Sequence, residues 1–215
     1  MIPSLHLITD DEILARRDFP DQARGVLEHG GQDVALHLRG PGTSGRALFD
    51  LAAALLEPSA RSGSLLFIND RIDIALVLGL PGVHLGQRSV PPRVARGLLG
   101  PQTLLGLSVH SAQEVRVGVG ASEGEVDPGV DYLVLGSIYA TSSHPGQTPL
   151  GLGILGEVQA VSTAPLLAIG GLTPERVKEV MAAGAHGVAV RGGVWNAEDP
   201  IAAVRVYLRE VRNVA

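Results

Sequence analysis

Short apolar runs alternate with helix-periodic segments along the whole sequence, and this alternation limits the fold more than any other feature. Several runs are apolar at nearly every position, which is typical of parallel strands that are covered on both faces. Parallel neighbours need a crossover connection, and an α-helix usually supplies it. The alternation therefore predicts a parallel α/β fold.

The repeats can be placed along the chain. The predicted strands are Ser4–Thr9, Asp33–Arg39, Ser64–Asn69, Gly82–Gly86, Thr103–His110, Val130–Ile138, Pro165–Gly170 and Gly187–Arg191. The predicted helices are Asp21–His29, Ser44–Leu56, Arg71–Leu78, Pro92–Leu99, Ala112–Val119, Leu152–Val161, Pro174–Ala183 and Pro200–Val211. Eight such repeats match a single (β/α)8 TIM barrel over residues 1–215. An open doubly wound sheet is the alternative, although no clean G-x-G-x-x-G follows the first strand.

Two glycine pairs follow the last two predicted strands: Gly170 and Gly171, then Gly192 and Gly193. Backbone N–H groups in such turns, beside a helix N-terminus, suit a phosphate. TIM barrels commonly bind phosphate after their seventh and eighth strands. We therefore predict a phosphate site at these four glycines. The alternative is that they only allow tight turns.

Composition excludes several classes of function. The chain has 215 residues, a net charge of −5 and no cysteine, so disulfides, thiolate nucleophiles and cysteine-ligated metals are ruled out. Scattered basic residues and 3% aromatic residues argue against a nucleic-acid partner. No stretch approaches the roughly 20 apolar residues of a membrane span, and no signal peptide is visible, so we expect a cytoplasmic protein without a membrane partner. Apolar surface between barrels would allow a homo-oligomer.

Polar side chains concentrate where the predicted strands end, and barrel enzymes place their chemistry there. This pattern is typical of a site for a small, polar, phosphate-bearing ligand. Arg39 could bind a carboxylate or phosphate through two parallel hydrogen bonds, or it could form a structural ion pair. The other candidates for substrate binding are Asn69, His84, Ser108, Thr141 and Ser143.

The histidines and Asp70 leave alternatives open. His37, His84, His110 and His144 lack a metal-binding spacing, and each is either an acid/base group or hydrogen-bonded scaffolding. Asp70 could hold Mg²⁺ together with substrate phosphate oxygens, or it could cap the helix that follows. The segment Tyr139–Gly151 is the longest polar connection, and we predict that it forms a lid.

Taken together, these stretches resemble the thiamine phosphate synthase superfamily. The matching pieces are LHLITD, HLR, LLFINDRIDIAL, GVHLGQRS, GLSVHS, DYLVLGSIYATSSH, APLLAIGGLTPERV and GVAVRGGVW. The resemblance implies a (β/α)8 barrel and one of two activities. The synthase joins aminopyrimidine methyl pyrophosphate to thiazole phosphate and releases pyrophosphate with the help of Mg²⁺. The TenI-like branch instead tautomerises a carboxythiazole phosphate to its aromatic isomer.

The sequence departs from the synthase pattern at several positions. The Q-x-R-x-K motif appears as His37, Arg39 and Pro41, and Ser89 stands where H-x-G-Q-x-D has a metal-binding aspartate. The T-x-T-K segment appears as Thr141, Ser143 and His144, without its lysine. These changes remove positive charge and one carboxylate around a departing pyrophosphate, where such groups stabilise the transition state.

The sequence also departs from the TenI-like pattern. That branch has a catalytic histidine directly after the glycine of its sixth strand, and this chain has Ser137 there. Serine cannot exchange protons near neutral pH without an adjacent base. A histidine elsewhere would have to take the role, with His37 as the first candidate and His144 as the second.

We therefore expect a metal-independent TenI-like thiazole tautomerase. The four glycines would bind the phosphate of a thiazole phosphate, Arg39 would hold its carboxylate, and His37, His144 or Ser137 would take part in the proton shift. The first alternative is a synthase that uses Mg²⁺ bound by Asp70. The second is a non-catalytic regulator that binds thiazole phosphate.

Overall fold

The computed structural model of the protein describes residues 1–118, 129–143 and 145–214. Within them, eight parallel strands form a closed barrel in chain order. The strands are β1 (Leu5–Ile8), β2 (Val34–Leu38), β3 (Leu65–Asn69), β4 (Gly82–Leu85), β5 (Leu104–Val109), β6 (Tyr132–Gly136), β7 (Leu166–Ile169) and β8 (Gly187–Val190). β1 pairs with β8 as well as with β2, so the sheet has no open edge. The predicted TIM barrel is confirmed, and the open-sheet alternative is wrong.

Helices follow the strands around the outside of the barrel. They are α1 (Asp11–Leu14), α2 (Phe19–Gly30), α3 (Gly45–Ser62), α4 (Ile72–Leu78), α5 (Pro92–Leu99), α6 (Ala112–Gly118), α7 (Gly153–Gln159), α8 (Pro174–Ala182), α9 (Gly192–Trp195) and α10 (Pro200–Arg212). The sequence did not predict α1 and α9, because a single turn is too short to show helical periodicity. It also ended α3 six residues early. In the described residues no helix combines the length and hydropathy needed to cross a bilayer.

The core has an inner and an outer part. The outer part lies between the strands and the helices. The inner part fills the barrel with the side chains Ile8, Ala35, Phe67, Tyr132, Val134, Leu167 and Ala189. Glycines make room for the two large rings: a Cβ atom on Gly82 would lie 2.1 Å from the Phe67 ring, and one on Gly106 would lie 2.1 Å from the Tyr132 ring. The interior is therefore a packed core, and a cavity can open only above it.

Candidate active site

A cavity of about 940 Å³ opens at the carboxyl ends of the strands. It brings together most of the residues that the sequence proposed. Those that line it are Arg39, Asn69, Asp70, His84, Ser108, Ser137, Thr141, Ser143, Gly170, Gly171, Gly192 and Gly193. His37 is not among the lining residues and is fully buried. The predicted catalytic role of His144 falls on a residue outside those that the structure describes.

The first glycine pair lies where neither residue could carry a side chain. Gly170 and Gly171 have φ values of 102° and 62°. A Cβ atom on Gly170 would lie 2.6 Å from Cα of Ser137, and one on Gly171 would lie 2.4 Å from the carbonyl oxygen of Ala140. The backbone after β7 thus approaches the segment after β6 closely, and bare peptide groups face the cavity.

The second glycine pair begins a helical turn. Gly192 and Gly193 are the first two residues of α9, where a helix leaves its N–H groups without intrahelical partners. A Cβ atom on Gly193 would lie 2.3 Å from the Tyr207 hydroxyl oxygen. Both glycine pairs therefore present main-chain groups to one side of the cavity, which is the arrangement that the phosphate-site prediction requires. Their role in phosphate binding stays a prediction.

Arginine side chains give the cavity positive charge. The four that line it are Arg39, Arg88, Arg176 and Arg191. Arg191 pairs with Asp10 at 2.5 Å, and Arg176 donates to the carbonyl oxygen of Gly171 at 2.6 Å. Arg39 and Arg88 form no ion pair within the part of the chain that the structure describes, so the structural ion pair proposed for Arg39 is not formed there. These two exposed guanidinium groups can bind an anion.

Asp70 lies at the cavity mouth after β3, in the left-handed backbone region with a φ of 63°. Its carboxylate accepts a hydrogen bond from the backbone N–H of Gly86 at 2.9 Å and another from the Ser89 hydroxyl. The alternative that Asp70 caps a helix is wrong, because α4 has Arg71 at its N-cap and no side-chain cap. The carboxylate is instead held against the turn after β4.

Oxygen atoms dominate the group around Asp70, and oxygen is what Mg²⁺ prefers. The carboxylate of Asp70 and the hydroxyl of Ser89 lie in contact, and Asn69 precedes them at the end of β3. No group of three or more metal-ligating side chains occurs among residues 1–118, 129–143 and 145–214. The donor set therefore fits a Mg²⁺ ion held by one carboxylate and mainly by phosphate oxygens of a ligand.

A buried hydrogen-bonded chain lies directly beneath Asn69. Nδ1 of His37 is 3.3 Å from Oδ1 of Asn69, and Nε2 of His37 is 2.8 Å from Nδ1 of His6. Nε2 of His6 is 3.1 Å from the carbonyl oxygen of Pro3. Burial lowers the pKa of both imidazoles well below the usual value, and His84 lowers that of His37 further. His37 therefore lies below the cavity as a neutral hydrogen-bonded group.

A second chain runs from the interior to the cavity through His84. Nδ1 of His84 is 3.2 Å from the Tyr132 hydroxyl, and Nε2 is 2.8 Å from the Ser108 hydroxyl. Burial lowers the pKa of His84 to about 3, with smaller contributions from His6 and Arg39. Burial also raises the pKa of Tyr132 well above its usual range. A neutral His84 thus holds Ser108 at the cavity wall.

The loop Tyr139–Gly151 is anchored at both ends. The N–H of Tyr139 donates to the carbonyl of Gly170 at 3.1 Å, and that of Leu150 donates to the carbonyl of Ser137 at 2.9 Å. Thr141 and Ser143 lie between these anchors and line the cavity. The described residues 140–143 of this loop therefore lie at the cavity, and closure as a lid stays a prediction.

Sequence reasoning missed three residues at the site: His6, Tyr132 and Arg176. His6 lies in β1 two positions before Ile8, whose side chain belongs to the inner core. Because side chains two apart in a strand share a face, this spacing could have placed His6 inside the barrel. Arg176 lies in the first turn of α8, and no local pattern marks it as a cavity residue.

Known proteins resemble this chain over nearly its whole length. The sequence signature of the family described as thiamine monophosphate synthase matches residues 5–194. A thiamine-phosphate synthase from Moorella thermoacetica is 38% identical over 208 residues, covering 96% of this chain and 94% of that protein. One from Laribacter hongkongensis is 38% identical over 204 residues, covering 94% and 92%. The structure of a thiamine phosphate pyrophosphorylase from Pyrococcus furiosus superposes with a TM-score of 0.81 at 28% identity, covering 98% of this chain and 96% of that one.

These similarities correct the functional prediction. The expected TenI-like tautomerase is wrong, because relatives that match nearly the whole chain are named as synthases. The roles given to His37, His144 and Ser137 in a proton shift belonged to that reaction and fall with it. The resemblance to the superfamily is confirmed at the level of the family signature and of the fold. The chain belongs to the thiamine monophosphate synthase family.

Proposed function

We propose that this protein is a thiamine phosphate synthase that joins aminopyrimidine methyl pyrophosphate to thiazole phosphate and releases pyrophosphate. One observation supports the proposal: the cavity at the carboxyl ends of the strands has two groups of residues suited to anions, and they lie on opposite sides of it. The glycine pairs follow β7 and β8, whereas Asp70 and Arg88 follow β3 and β4. In a closed barrel of eight strands in chain order, these two pairs of strands face each other across the axis. Two anionic substrates can therefore meet over the barrel.

Each side of the cavity would bind the anionic group of one substrate. The main-chain groups of the glycine pairs would bind the monophosphate of the thiazole, because helix N-termini and glycine turns favour phosphate. Arg39 and Arg88 would bind the pyrophosphate, which carries more negative charge. The reaction is a substitution at the methylene carbon: its C–O bond to pyrophosphate breaks, and a C–N bond to the thiazole forms.

Asp70 would hold Mg²⁺ at the pyrophosphate side, with Ser89 as a neutral neighbour. Bound Mg²⁺ would supply charge neutralisation for the departing pyrophosphate. The residues themselves bind and orient the anion and keep it at the mouth of the cavity, where Asp70, Arg39 and Arg88 are all exposed. This arrangement concentrates positive charge where negative charge develops, which lowers the barrier.

The experiment that tests the proposal measures thiamine phosphate and pyrophosphate formation from the two substrates, with Mg²⁺ and with a chelator. We expect turnover that requires Mg²⁺. Asp70→Asn should lower it by about 100-fold or more, since one preorganised electrostatic contact is worth roughly 3–4 kcal/mol. Asp50→Asn is the matched control, because Asp50 pairs with Arg46 on the exposed face of α3, away from the cavity. Binding of both substrates without coupling would contradict the proposal, and unchanged turnover in Asp70→Asn would refute the role of Asp70.

A further inference from the structure

The hydrogen bonds of the buried chain Pro3–His6–His37–Asn69 can be donated in only one direction. Its inner end is the carbonyl oxygen of Pro3, which can only accept a hydrogen bond, so Nε2 of His6 must carry a proton. In a neutral imidazole the other nitrogen is then an acceptor. Nδ1 of His6 therefore accepts, and Nε2 of His37 must donate to it across the 2.8 Å contact.

The same reasoning continues outward to Asn69. A neutral His37 that donates from Nε2 has a bare lone pair on Nδ1, and this atom lies 3.3 Å from the end of the Asn69 carboxamide. Two acceptors cannot satisfy each other, so the amide nitrogen of Asn69 must face His37. The oxygen and nitrogen of a carboxamide are nearly indistinguishable by shape, and the hydrogen-bond network decides which is which.

A charged imidazole would remove this constraint, but the surroundings disfavour it. His6 and His37 are both fully buried. The ring of His37 stacks on Phe67 at 4.9 Å, lies 5.4 Å from the ring of His84, and contacts the Tyr132 ring edge-on. No carboxylate forms an ion pair with either imidazole within the described residues. An unpaired charge in such a place is costly, so both rings are neutral at pH 7.

We infer that His6 and His37 are positioning residues that turn the Asn69 carboxamide so that its nitrogen donates to His37 and its oxygen faces the cavity. Asn69 lines the cavity at the end of β3, and its outer amide atom makes no hydrogen bond among the described residues. The cavity therefore meets an acceptor at this point. A ligand with an N–H donor is favoured there, and a bare phosphate oxygen is disfavoured.

The identity of the favoured ligand group rests on the proposed function. Of the two proposed substrates, the aminopyrimidine carries an amino group, which can donate to the oxygen of Asn69. The thiazole phosphate has no such group. The buried hydrogen-bonded chain from Pro3 to Asn69 would thus help the site to select and orient the pyrimidine ring.

The first test reads the protonation of the two rings directly. The full-length protein, labelled with ¹⁵N at histidine, is studied by long-range proton–nitrogen NMR at pH 7. We expect His6 and His37 each to show one neutral form with the proton on Nε2. A proton on Nδ1 of His37, or an imidazolium pattern at either ring, would overturn the inference. This measurement needs neither substrate nor turnover, so it holds even if the proposed function fails.

The second test removes the hydrogen bond between His6 and His37 from the buried chain. His6→Phe keeps a ring in the barrel but removes the acceptor for His37. We expect His37 to become a mixture of both neutral forms, and KM for aminopyrimidine methyl pyrophosphate to rise about tenfold, as for the loss of one well-placed hydrogen bond. KM for thiazole phosphate should be unchanged, and kcat should change less than KM.

Phe67→Leu is the matched control for damage to packing. Phe67 stacks on His37 in the same interior but has no hydrogen-bonding atom. It should lower stability while leaving the proton of His37 on Nε2 and the two KM values unchanged. If His6→Phe leaves His37 in the Nε2-protonated form with unchanged KM, the buried chain does not position Asn69. The same conclusion follows if Phe67→Leu changes the protonation of His37 as much as His6→Phe does.

Discussion

Under the proposed function, Arg88 is the candidate to replace the positive charge of the two motif lysines that this chain lacks. It lies next to Ser89 on the turn that holds the Asp70 carboxylate, it lines the cavity, and it is exposed. The motif lysines are absent at Pro41 and His144. A guanidinium group on the turn after β4 can supply positive charge to the side of the cavity that we propose for pyrophosphate, from a different strand.

Arg88→Gln should therefore weaken binding of the pyrophosphate substrate. A hydrogen bond to a charged group is worth about 1.5–3 kcal/mol, so we expect kcat/KM for aminopyrimidine methyl pyrophosphate to fall by about 10- to 100-fold. Steady-state kinetics with each substrate varied in turn would measure this. Arg46→Gln on the exposed face of α3 is the control and should leave kcat/KM unchanged. A loss confined to thiazole phosphate would show that Arg88 serves the other side of the cavity.

For single residues, local patterns predicted which strand ends contribute to the site. They did not predict whether a side chain lines the cavity or is buried beneath it. His37 lies in β2 and Arg39 directly follows its last residue, and a spacing of two predicts a shared face, yet only Arg39 reaches the cavity. Whether a side chain lies at the rim or one layer below depends on the register with neighbouring strands. His37 pairs with Ile8 in β1, and this offset brings His6 beneath it. No single strand contains that information.

At the scale of whole elements, strands were predicted more accurately than helices. The eight strands lie within a few residues of their predicted positions, because an apolar run ends where the chain reaches water. Single-turn helices such as α1 and α9 have no periodic signal, and α1 depends on a local cap instead. Asp10, for example, accepts a hydrogen bond from the N–H of Ile13 at 2.9 Å and so begins α1.

The interior strands depend on two glycines that admit aromatic rings. Gly106→Ala would place a methyl group 2.1 Å from the Tyr132 ring and 2.6 Å from Nδ1 of His84, so we expect a loss of about 1–3 kcal/mol in the free energy of unfolding. Gly97→Ala in the exposed α5 is the control, since a Cβ there meets nothing within 4 Å. It should stabilise the protein by about 0.5–1 kcal/mol. Urea unfolding would measure both, and equal effects would show that the interior has room to spare.

The whole molecule should lose stability on mild acidification. His6, His37 and His84 are buried with pKa values below the ordinary 6.5, that of His84 at about 3. Above pH 6.5 these groups are neutral whether the chain is folded or not. As the pH falls from 6.5 towards 3, the unfolded chain binds protons that the folded chain does not, so stability falls. In this pH range each of the three histidines should lower the free energy of unfolding by about 1 kcal/mol for each pH unit of acidification.

Urea titrations from pH 8 to pH 4.5 would measure this slope. His84→Gln should lower the slope by the contribution of one buried histidine. His29→Gln, on the exposed surface of α2, is the control and should leave the slope unchanged. A flat free energy of unfolding between pH 6.5 and pH 4.5 would show that the buried imidazoles bind protons as readily in the folded protein.

The fold could be predicted as a whole from the sequence, but the activity could not be predicted from single positions. Alternation of strand and helix patterns defines a barrel because each repeat adds the same unit. The expectation of a tautomerase instead rested on isolated replacements such as Ser89 and Pro41. Similarity over 208 residues to a protein named as a synthase contradicts that expectation.

Pairing of β1 with β8 ties together residues far apart along the chain, such as Leu5 and Val188. The ion pair between Asp10 and Arg191 reinforces the same seam. During translation the first strand must therefore wait for nearly the whole polypeptide to leave the ribosome before its second neighbour exists. Until then the nascent sheet has two unpaired edges, which are prone to association with other chains. Chaperone dependence of newly made protein should accordingly end only when Gly187–Val190 has emerged from the exit tunnel.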